Sequence, residues 1–176
     1  MTKARGFEAL VLPHLNAAFN LARWLVRDEH AAEDIVQESC LRAYRYFGSL
    51  RGDDARPWLL GIVRNNCFSW LERRRMSPDH VELDDELAHS LPELAEAAGA
   101  TPEAMLERSR TRERVDAAIK ALAAPFREVV VLRELEGLSY AEIAQITAVP
   151  IGTVMSRLSR ARAELKSLLA EFWKAG

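Results

Sequence analysis

The chain contains only two cysteines, Cys40 and Cys67, among its 176 residues. Each lies in a stretch of helical pattern with apolar neighbours, so we interpret both as buried small side chains rather than as a disulfide or a redox pair. The four histidines have spacings that match no metal-ligand motif. We therefore expect neither a metal site nor a cofactor.

Long apolar runs are also missing. No run reaches the roughly 18 residues of a membrane span, and the first ten residues, MTKARGFEAL, lack the apolar stretch of a signal peptide. We find no glycine-rich phosphate loop, no nucleophile elbow and no pair of catalytic carboxylates. The sequence predicts a cytoplasmic protein that does not insert into membranes, is not an enzyme and has no small-molecule substrate.

Positive charge is absent from the middle of the chain. Residues 77–107 contain nine Asp and Glu but no Lys or Arg, whereas residues 1–76 have 12 basic against 9 acidic side chains and residues 108–176 have 12 against 8. No alternating strand pattern bounded by turn residues is present. We predict an all-α fold of two small helical bundles, 1–76 and 108–176, joined by an acidic flexible linker, 77–107.

Residues 138–168, LSYAEIAQITAVPIGTVMSRLSRARAELKSL, predict two helices joined by a tight turn. Ser139 and Glu142 have the spacing of a capping box, Gly137 can end the preceding helix, and Pro150 prevents the first helix from continuing. The second helix has an apolar stripe and a cationic face. Its basic residues are Arg157, Arg160 and Arg162. A short helix, a turn and a longer basic helix form a helix-turn-helix, which places its second helix in the major groove of DNA and makes the C-terminal bundle a four-helix domain.

Two further helices have a functional face in addition to a packing face. The helix predicted over residues 29–47 presents Leu41 among charged side chains, which indicates either a protein-binding surface or simple packing. A loop precedes the helix that runs from Arg56 to about Arg75, and one face of that helix mixes aromatic, amide and cationic groups. Such a mixture suits single-stranded nucleic acid, although tryptophans in a core and arginines at a helix end would produce the same pattern.

These stretches together resemble a known family. The chain reads HAAEDIVQESCLRAYRYF, then RPWLLGIVRNNCFSWLERRR, then the acidic segment, then PFREVVVLRELEGLSYAEIAQITAVPIGTVMSRLSRARAEL. This order closely resembles a bacterial RNA polymerase sigma factor of the extracytoplasmic-function (ECF) type, in the sigma-70 family. The resemblance implies a promoter-specificity factor that directs core RNA polymerase to alternative, stress-responsive promoters, with an anti-sigma factor that holds it silent, in some cases at the inner membrane face.

The resemblance also assigns roles to residues of the N-terminal bundle. The helix after Asp28 would bind core polymerase, and the loop and helix after it would open the minus-ten element and capture an extruded base. The polymerase-binding residues would be Asp34, Gln37, Glu38, Leu41 and Arg42. The minus-ten residues would be Ser49, Leu50, Arg51, Trp58, Asn65, Asn66, Ser69, Arg73 and Arg74.

In the C-terminal bundle the second helix of the helix-turn-helix would read the minus-thirty-five element. The base-facing residues would be Met155, Ser156, Ser159 and Arg160, and the phosphate-binding residues Ser139, Tyr140, Thr153, Arg157 and Arg162. Related sequences have Lys or Arg where Met155 stands. An apolar contact with a thymine methyl then replaces a guanine contact, and Arg160 becomes the best candidate for guanine.

Two other classes of protein share parts of this pattern. A helix-turn-helix regulator would bind an operator, as a dimer and without polymerase, and would need a dimer seam or a ligand pocket. An antagonist that imitates a sigma factor would lack cationic residues on the recognition helix. The charged N-terminal face and the arginines of the second helix favour the sigma factor over both.

Overall fold

The computed structural model describes residues 2–77, 99 and 101–174, and every regular element within those ranges is helical. Residues 78–98 and 100, most of the predicted linker, lie outside the described residues. We call α1–α4 the N-terminal half and α5–α8 the C-terminal half. The eight α-helices are α1 (Lys3–Val11), α2 (Leu15–Val26), α3 (Glu29–Arg45), α4 (Ala55–Met76), α5 (Pro102–Ala121), α6 (Ala124–Val130), α7 (Tyr140–Thr147) and α8 (Ile151–Lys174). The prediction of an all-α fold is confirmed.

Residues 3–26 form two helices that are separated by a short turn. Leu12–His14 is a 3₁₀ turn between α1 and α2, and it contains Pro13. Proline has no backbone N–H, so the α-helical ladder is interrupted at this residue. The second of the two helices ends at Arg27, which adopts the left-handed conformation with φ 57° and donates its N–H to the carbonyl of Arg23. The sharp end of α2 allows α3 to begin two residues later.

Aspartate side chains start α3 and α4. Asp28 accepts a hydrogen bond from the Ala31 N–H at 2.9 Å, and Asp54 accepts one from the Arg56 N–H at 3.1 Å. An unpaired N–H at each helix start is thereby satisfied. The apolar faces of α2, α3 and α4 then pack together. Their buried residues include Leu21, Leu25, Ile35, Leu59 and Val63. The opposite faces of α3 and α4 are left for contacts outside this bundle.

The C-terminal half begins with a capped helix. Thr101 Oγ1 accepts a hydrogen bond from the Ala104 N–H at 3.3 Å and caps α5, which starts at Pro102. Residues 102–107, which the charge pattern assigns to the linker, lie in the first turns of this helix. The next helix, α6, continues as a π-helical turn over Val131–Leu135, and the chain reverses at Gly137 with φ 68°.

The helix-turn-helix forms as predicted. Ser139 Oγ accepts from the Glu142 N–H at 3.2 Å while Glu142 Oε2 accepts from the Ser139 N–H at 2.6 Å, which completes the capping box. After α7, Ala148 adopts a left-handed conformation with φ 54° and Pro150 leads into α8. The buried stripe of α8 is Val154, Leu158 and Ala161. Burial of this stripe fixes which face of α8 points outward.

The two halves pack against each other. The long α4 lies on α7, and α2 lies on α6. The helices α4 and α7 approach each other closely at Gly61, where a Cβ would stand 3.9 Å from both the Cα and the carbonyl oxygen of Ile146. Buried apolar residues of both halves form one continuous cluster. No helix in the described ranges is long and apolar enough to cross a membrane.

Candidate nucleic-acid interface

The outer face of α3 carries the five residues predicted to bind polymerase. The inner face is defined by Ala32, Ile35, Ser39 and Ala43, which are buried. The predicted residues, Asp34, Gln37, Glu38, Leu41 and Arg42, are all exposed on the opposite face. Leu41 is 66% exposed. An isolated exposed leucine is ordinary, but one surrounded by charges of both signs provides an apolar centre for a protein contact.

A hydrogen-bonded bridge joins the outer face of α3 to α4. Arg42 Nη1 donates to Asn66 Oδ1 at 3.2 Å, and Asn66 Nδ2 donates to Ser39 Oγ at 2.9 Å. The Ser39 hydroxyl in turn donates to the Ile35 carbonyl at 2.6 Å. Asn66 is only 8% exposed, so the structure separates it from the other minus-ten candidates. The helical spacing of Asn66 from Leu59, Val63 and Cys67 could have revealed its inward position.

Three of the minus-ten candidates, Ser49, Leu50 and Arg51, lie in the loop between α3 and α4. Phe47–Ser49 forms a 3₁₀ turn in which Ser49 Oγ donates to the Tyr46 carbonyl at 2.7 Å. Leu50 is half-buried against the core and Arg51 is exposed. The loop is therefore anchored by one apolar side chain, and its polar groups point to solvent.

Some side chains on the predicted nucleic-acid face of α4 are exposed, and others contact neighbouring residues of the protein. Trp58 is half-buried, and Asn65, Ser69 and Arg73 are exposed. Arg74 lies 5.0 Å from the centre of the Trp70 ring and 3.6 Å from Asp28 Oδ2. Exposed amide, hydroxyl and guanidinium groups that follow an aromatic ring along one helix suit a separated DNA strand.

The base-reading candidates of α8 form one exposed patch. Met155, Ser156, Ser159 and Arg160 all lie opposite the buried stripe of α8, and Met155 is 53% exposed. Ser156 Oγ donates to the Thr153 carbonyl at 3.0 Å and keeps its lone pairs available. The patch is thus accessible to the major groove, as the recognition helix of a helix-turn-helix requires.

The phosphate-binding candidates include two arginines that already have acidic neighbours. Arg162 donates to Glu134 Oε1 from Nε at 3.1 Å and from Nη2 at 2.7 Å, and this hydrogen bonding raises the pKa of Arg162. Arg157 Nη1 lies 3.7 Å from Glu128 Oε1. The other candidates have mixed exposure. Ser139 is exposed, and Tyr140 and Thr153 are half-buried.

Sequence reasoning missed Glu128, which is fully buried in α6. Its carboxylate accepts hydrogen bonds from Arg64 Nε at 2.9 Å and Nη2 at 3.1 Å. Burial raises the pKa of Glu128, and Arg64 and Arg157 oppose that rise. The sequence does carry a signal for this residue, since Glu128 is a single carboxylate beside the apolar run VVVL. A charged side chain in apolar surroundings needs a partner. Local periodicity does not reveal that the partner comes from α4.

Metal ligands do not cluster in the part of the chain that the structure describes. Within residues 2–77, 99 and 101–174, no group of three or more His, Cys, Asp or Glu could hold a metal ion. Both cysteines are free thiols, with Cys40 half-buried and Cys67 buried. Burial raises the pKa of Cys67 to about 12, with Glu128 contributing, and it also raises the pKa of Cys40.

Comparison with known proteins matches both halves of the chain. The family model described as Sigma-70 region 2 matches residues 10–77, and that described as Sigma-70, region 4 matches residues 112–165. The RNA polymerase sigma-H factor of Pseudomonas aeruginosa is 34% identical over 172 residues, which cover 94% of this chain and 86% of the relative. The ECF RNA polymerase sigma-E factor of Escherichia coli K12 is 38% identical over 135 residues, which cover 73% of this chain and 69% of the relative.

Two solved structures have a similar fold. The sigma factor RpoE of Bartonella quintana, in a co-crystal with the anti-sigma factor NepR, matches with a TM-score of 0.69 at 28% identity, covering 93% of this chain and 96% of that one. CnrH, in complex with the cytosolic domain of CnrY, matches with a TM-score of 0.65 at 25% identity, covering 96% of this chain and 90% of that one.

The fold, with a helix-turn-helix in the C-terminal half and a family match in each half, defines a sigma-factor type of protein. The chain belongs to the sigma-70 family of RNA polymerase sigma factors, in its ECF group. The family resemblance is thereby confirmed. The alternative of an operator-binding regulator is not favoured, because the matches cover the N-terminal half as well as the helix-turn-helix.

Proposed function

We propose that this chain binds core RNA polymerase and directs transcription initiation at alternative, stress-responsive promoters. One observation carries the proposal. A single chain presents an exposed face with an apolar centre on α3, a face of aromatic and amide groups on α4 and an exposed patch on the second helix of the helix-turn-helix, α8. A promoter-specificity factor needs all three surfaces, whereas a simple DNA-binding regulator needs only the last.

The outer face of α3 is the proposed polymerase-binding surface. Leu41 provides the apolar centre, and Asp34, Glu38 and Arg42 provide charges of both signs around it. Burial of a leucine at the centre of such a contact contributes about 1.5–3 kcal/mol. The surrounding charges orient the partner more than they add affinity.

The loop before α4 and the outer face of α4 are the proposed minus-ten surface. Melting requires that a base leave the stack, which costs a few kcal/mol. Stacking on an aromatic side chain such as Trp58 and hydrogen bonds from Asn65 or Ser69 would offset that cost. Arg51 and Arg73, both exposed, would hold the adjacent phosphates.

The outer patch of α8 is the proposed minus-thirty-five surface. Arg160 can donate two hydrogen bonds to a guanine edge, and Met155 can contact a thymine methyl group. Thr153 and Arg157 flank this patch on the same helix and would bind the phosphate backbone. Binding should weaken steeply with salt because phosphate contacts release counterions.

We also propose that the chain works in the cytoplasm with core RNA polymerase and promoter DNA, and that an anti-sigma protein controls it. The similar Bartonella quintana sigma factor was crystallised with an anti-sigma factor, which supports this partner. Such a partner would silence the chain by covering the α3 face, and an anti-sigma factor attached to the membrane would hold it at the inner membrane face.

Run-off transcription on a library of genomic fragments tests the proposal. Purified core polymerase should start at new sites only when the chain is added. Leu41→Asp should abolish those starts by weakening polymerase binding, while Glu33→Gln, about two turns away on an exposed part of α3, should leave them unchanged. DNA binding without any start that depends on the chain would refute the proposal.

A further inference from the structure

Arg162 lies on the same face of α8 as Met155, about two helical turns further along. The two residues are seven positions apart, so their side chains leave the helix in nearly the same direction. The step along the helix axis is about 10.5 Å at about 1.5 Å per residue. Since the major groove is about 12 Å wide, a helix that holds Met155 over the bases would bring Arg162 towards the phosphates that line the groove.

The guanidinium of Arg162 is held by a carboxylate from outside α8. Glu134, in the π-helical turn Val131–Leu135, accepts hydrogen bonds on Oε1 from Arg162 Nε at 3.1 Å and from Arg162 Nη2 at 2.7 Å. These bonds, together with a hydrogen bond to Tyr140, raise the pKa of Arg162. The carboxylate oxygen therefore accepts the same donors that a phosphate oxygen would accept.

The pair is too exposed to be important for the stability of the fold. The side chains of Glu134 and Arg162 are each 48% exposed. Exposed ion pairs contribute little to stability, because water and salt screen their charges. Removal of the Glu134 charge should therefore leave the chain folded.

Arg157, the other arginine of α8 with an acidic neighbour, has a different kind of partner. Its Nη1 lies 3.7 Å from Glu128 Oε1, but Glu128 is fully buried and accepts its hydrogen bonds from Arg64. A carboxylate in that position has no access to a phosphate. Glu134, by contrast, faces the solvent beside a candidate phosphate contact.

A duplex that approaches α8 meets a neutral ion pair at this position instead of a cation. Each phosphate that a cation neutralises releases counterions and steepens the dependence of affinity on salt, by about 0.9 in a plot of log affinity against log salt. An arginine whose charge is already balanced releases few counterions, and the Glu134 carboxylate repels the neighbouring phosphates. A contact between Arg162 and a phosphate requires that the bonds to Glu134 be broken or shared.

We propose that Glu134 is an affinity-setting residue of the minus-thirty-five surface: it competes with DNA phosphate for the Arg162 guanidinium and lowers the sequence-independent part of duplex binding. The inference rests on the proposed function, which places α8 in the major groove. Phosphate contacts carry no sequence information, so the acid leaves the base contact of Arg160 unchanged. The share of the affinity that comes from base reading rises as the phosphate share falls.

Fluorescence anisotropy of a labelled duplex of random sequence, titrated with the full chain, tests the proposal. Glu134→Gln removes the charge and keeps the size of the side chain. It should tighten binding severalfold at about 50 mM salt and steepen the salt dependence by up to about 0.9 in slope. Glu164→Gln is the matched control, because Glu164 is exposed and nine positions after Met155, about half a turn away from its face. The control removes the same charge and should leave both values unchanged.

A double-mutant cycle shows whether the acid acts through Arg162. In the Arg162→Ala background, Glu134→Gln should lose most of its gain, because no guanidinium remains to compete for. An equal gain with and without Arg162 would indicate general repulsion of DNA and would overturn the proposal. Weaker binding by Glu134→Gln would overturn it too, since the acid would then orient Arg162 for the phosphate. Unchanged binding, or no measurable duplex binding by any variant, would have the same consequence.

Run-off transcription with core polymerase separates this proposal from the proposed function. Starts that depend on the chain, combined with equal duplex affinity of the wild type and Glu134→Gln, would refute the role of Glu134 and leave the promoter function standing. A gain in duplex affinity without any start that depends on the chain would refute the promoter function and leave the competition between Glu134 and phosphate standing.

Discussion

At the scale of single residues, Asn65 and Asn66 are neighbours in sequence with opposite environments. Asn65 is exposed on α4, whereas Asn66 is 8% exposed and bonded to Ser39. A buried hydroxyl that loses its partner costs about 1–3 kcal/mol. The two amides should therefore have separable effects on stability and on DNA melting.

We expect Asn66→Ala to lower the free energy of unfolding by about 1–3 kcal/mol, because the bridge from α3 to α4 is lost. Asn65→Ala should leave stability unchanged and reduce open-complex formation. Chemical denaturation monitored by circular dichroism and permanganate footprinting of the promoter measure the two effects. A stable Asn66→Ala chain with defective melting would instead make Asn66 a DNA contact.

Arg160 is the residue on which the sequence preference should depend most. Arg160→Ala should cost about 1–3 kcal/mol of binding and relax selection at one base pair of the minus-thirty-five element. Binding to a panel of promoter variants in which each position is changed measures this. Lys166→Ala, further along α8 and exposed, is the matched control. Equal weakening on every variant would show that Arg160 contacts phosphate rather than a base.

At the scale of elements, the capping box is what starts α7. The Ser139 N–H donates a hydrogen bond to the Glu142 carboxylate, which lowers the pKa of Glu142. A carboxyl with a lowered pKa in the folded state binds fewer protons there than in the unfolded chain. Its contribution to stability is therefore present above the unfolded value of about 4.3 and is lost as pH falls through the folded value.

Glu142→Gln should accordingly destabilise the chain at pH 7 and have a smaller effect near pH 3. Thermal unfolding at pH 7 and near pH 3 measures the difference in stability between the variant and the wild type. Glu164→Gln on the exposed face of α8 is the control. Ser139→Ala should cost about 0.5–2 kcal/mol at pH 7 because the cap itself is removed. A Glu142→Gln effect that is independent of pH would exclude the carboxylate as its source.

Local signals predicted most elements correctly. Ser139 and Glu142 have the spacing of a capping box, so the start of α7 follows from the sequence alone. Pro13 interrupts the first helical stretch, but the sequence alone does not show that α1 and α2 are separate helices. The buried stripe of α8 also follows from the periodicity of its apolar residues. The base-reading candidates lie on the opposite face of the same helix.

Partnerships between distant residues were not predictable in this way. The sequence shows that Arg64 is a cation on a basic helix and that Glu128 is an acid beside an apolar run, but nothing local brings them together. Asn66 was placed with the DNA contacts by the family resemblance, although its spacing from Val63 puts it inside. Residue type and the resemblance proposed the surfaces, and burial then separated their candidate residues.

At the scale of the whole molecule, the two halves share one apolar cluster and several buried polar contacts. These contacts stabilise both halves together, so their loss should lower the free energy of unfolding of the whole chain. Arg64→Ala should be destabilising, because it removes both hydrogen bonds that Arg64 donates to the buried Glu128 carboxylate.

The buried position of Cys67 makes the chain its own sensor of opening. Its thiol is 0% exposed, and its pKa of about 12 arises from burial and from Glu128, a residue of the other half. A thiol in that state reacts with alkylating reagents only when the structure opens, because the thiolate is the nucleophile. Cys40, half-buried on α3, should be modified first, and the later modification of Cys67, followed by mass spectrometry, should accelerate in Gly61→Leu but not in Gly61→Ala. The modification rate of this native thiol would thus measure how often the packing around Cys67 opens.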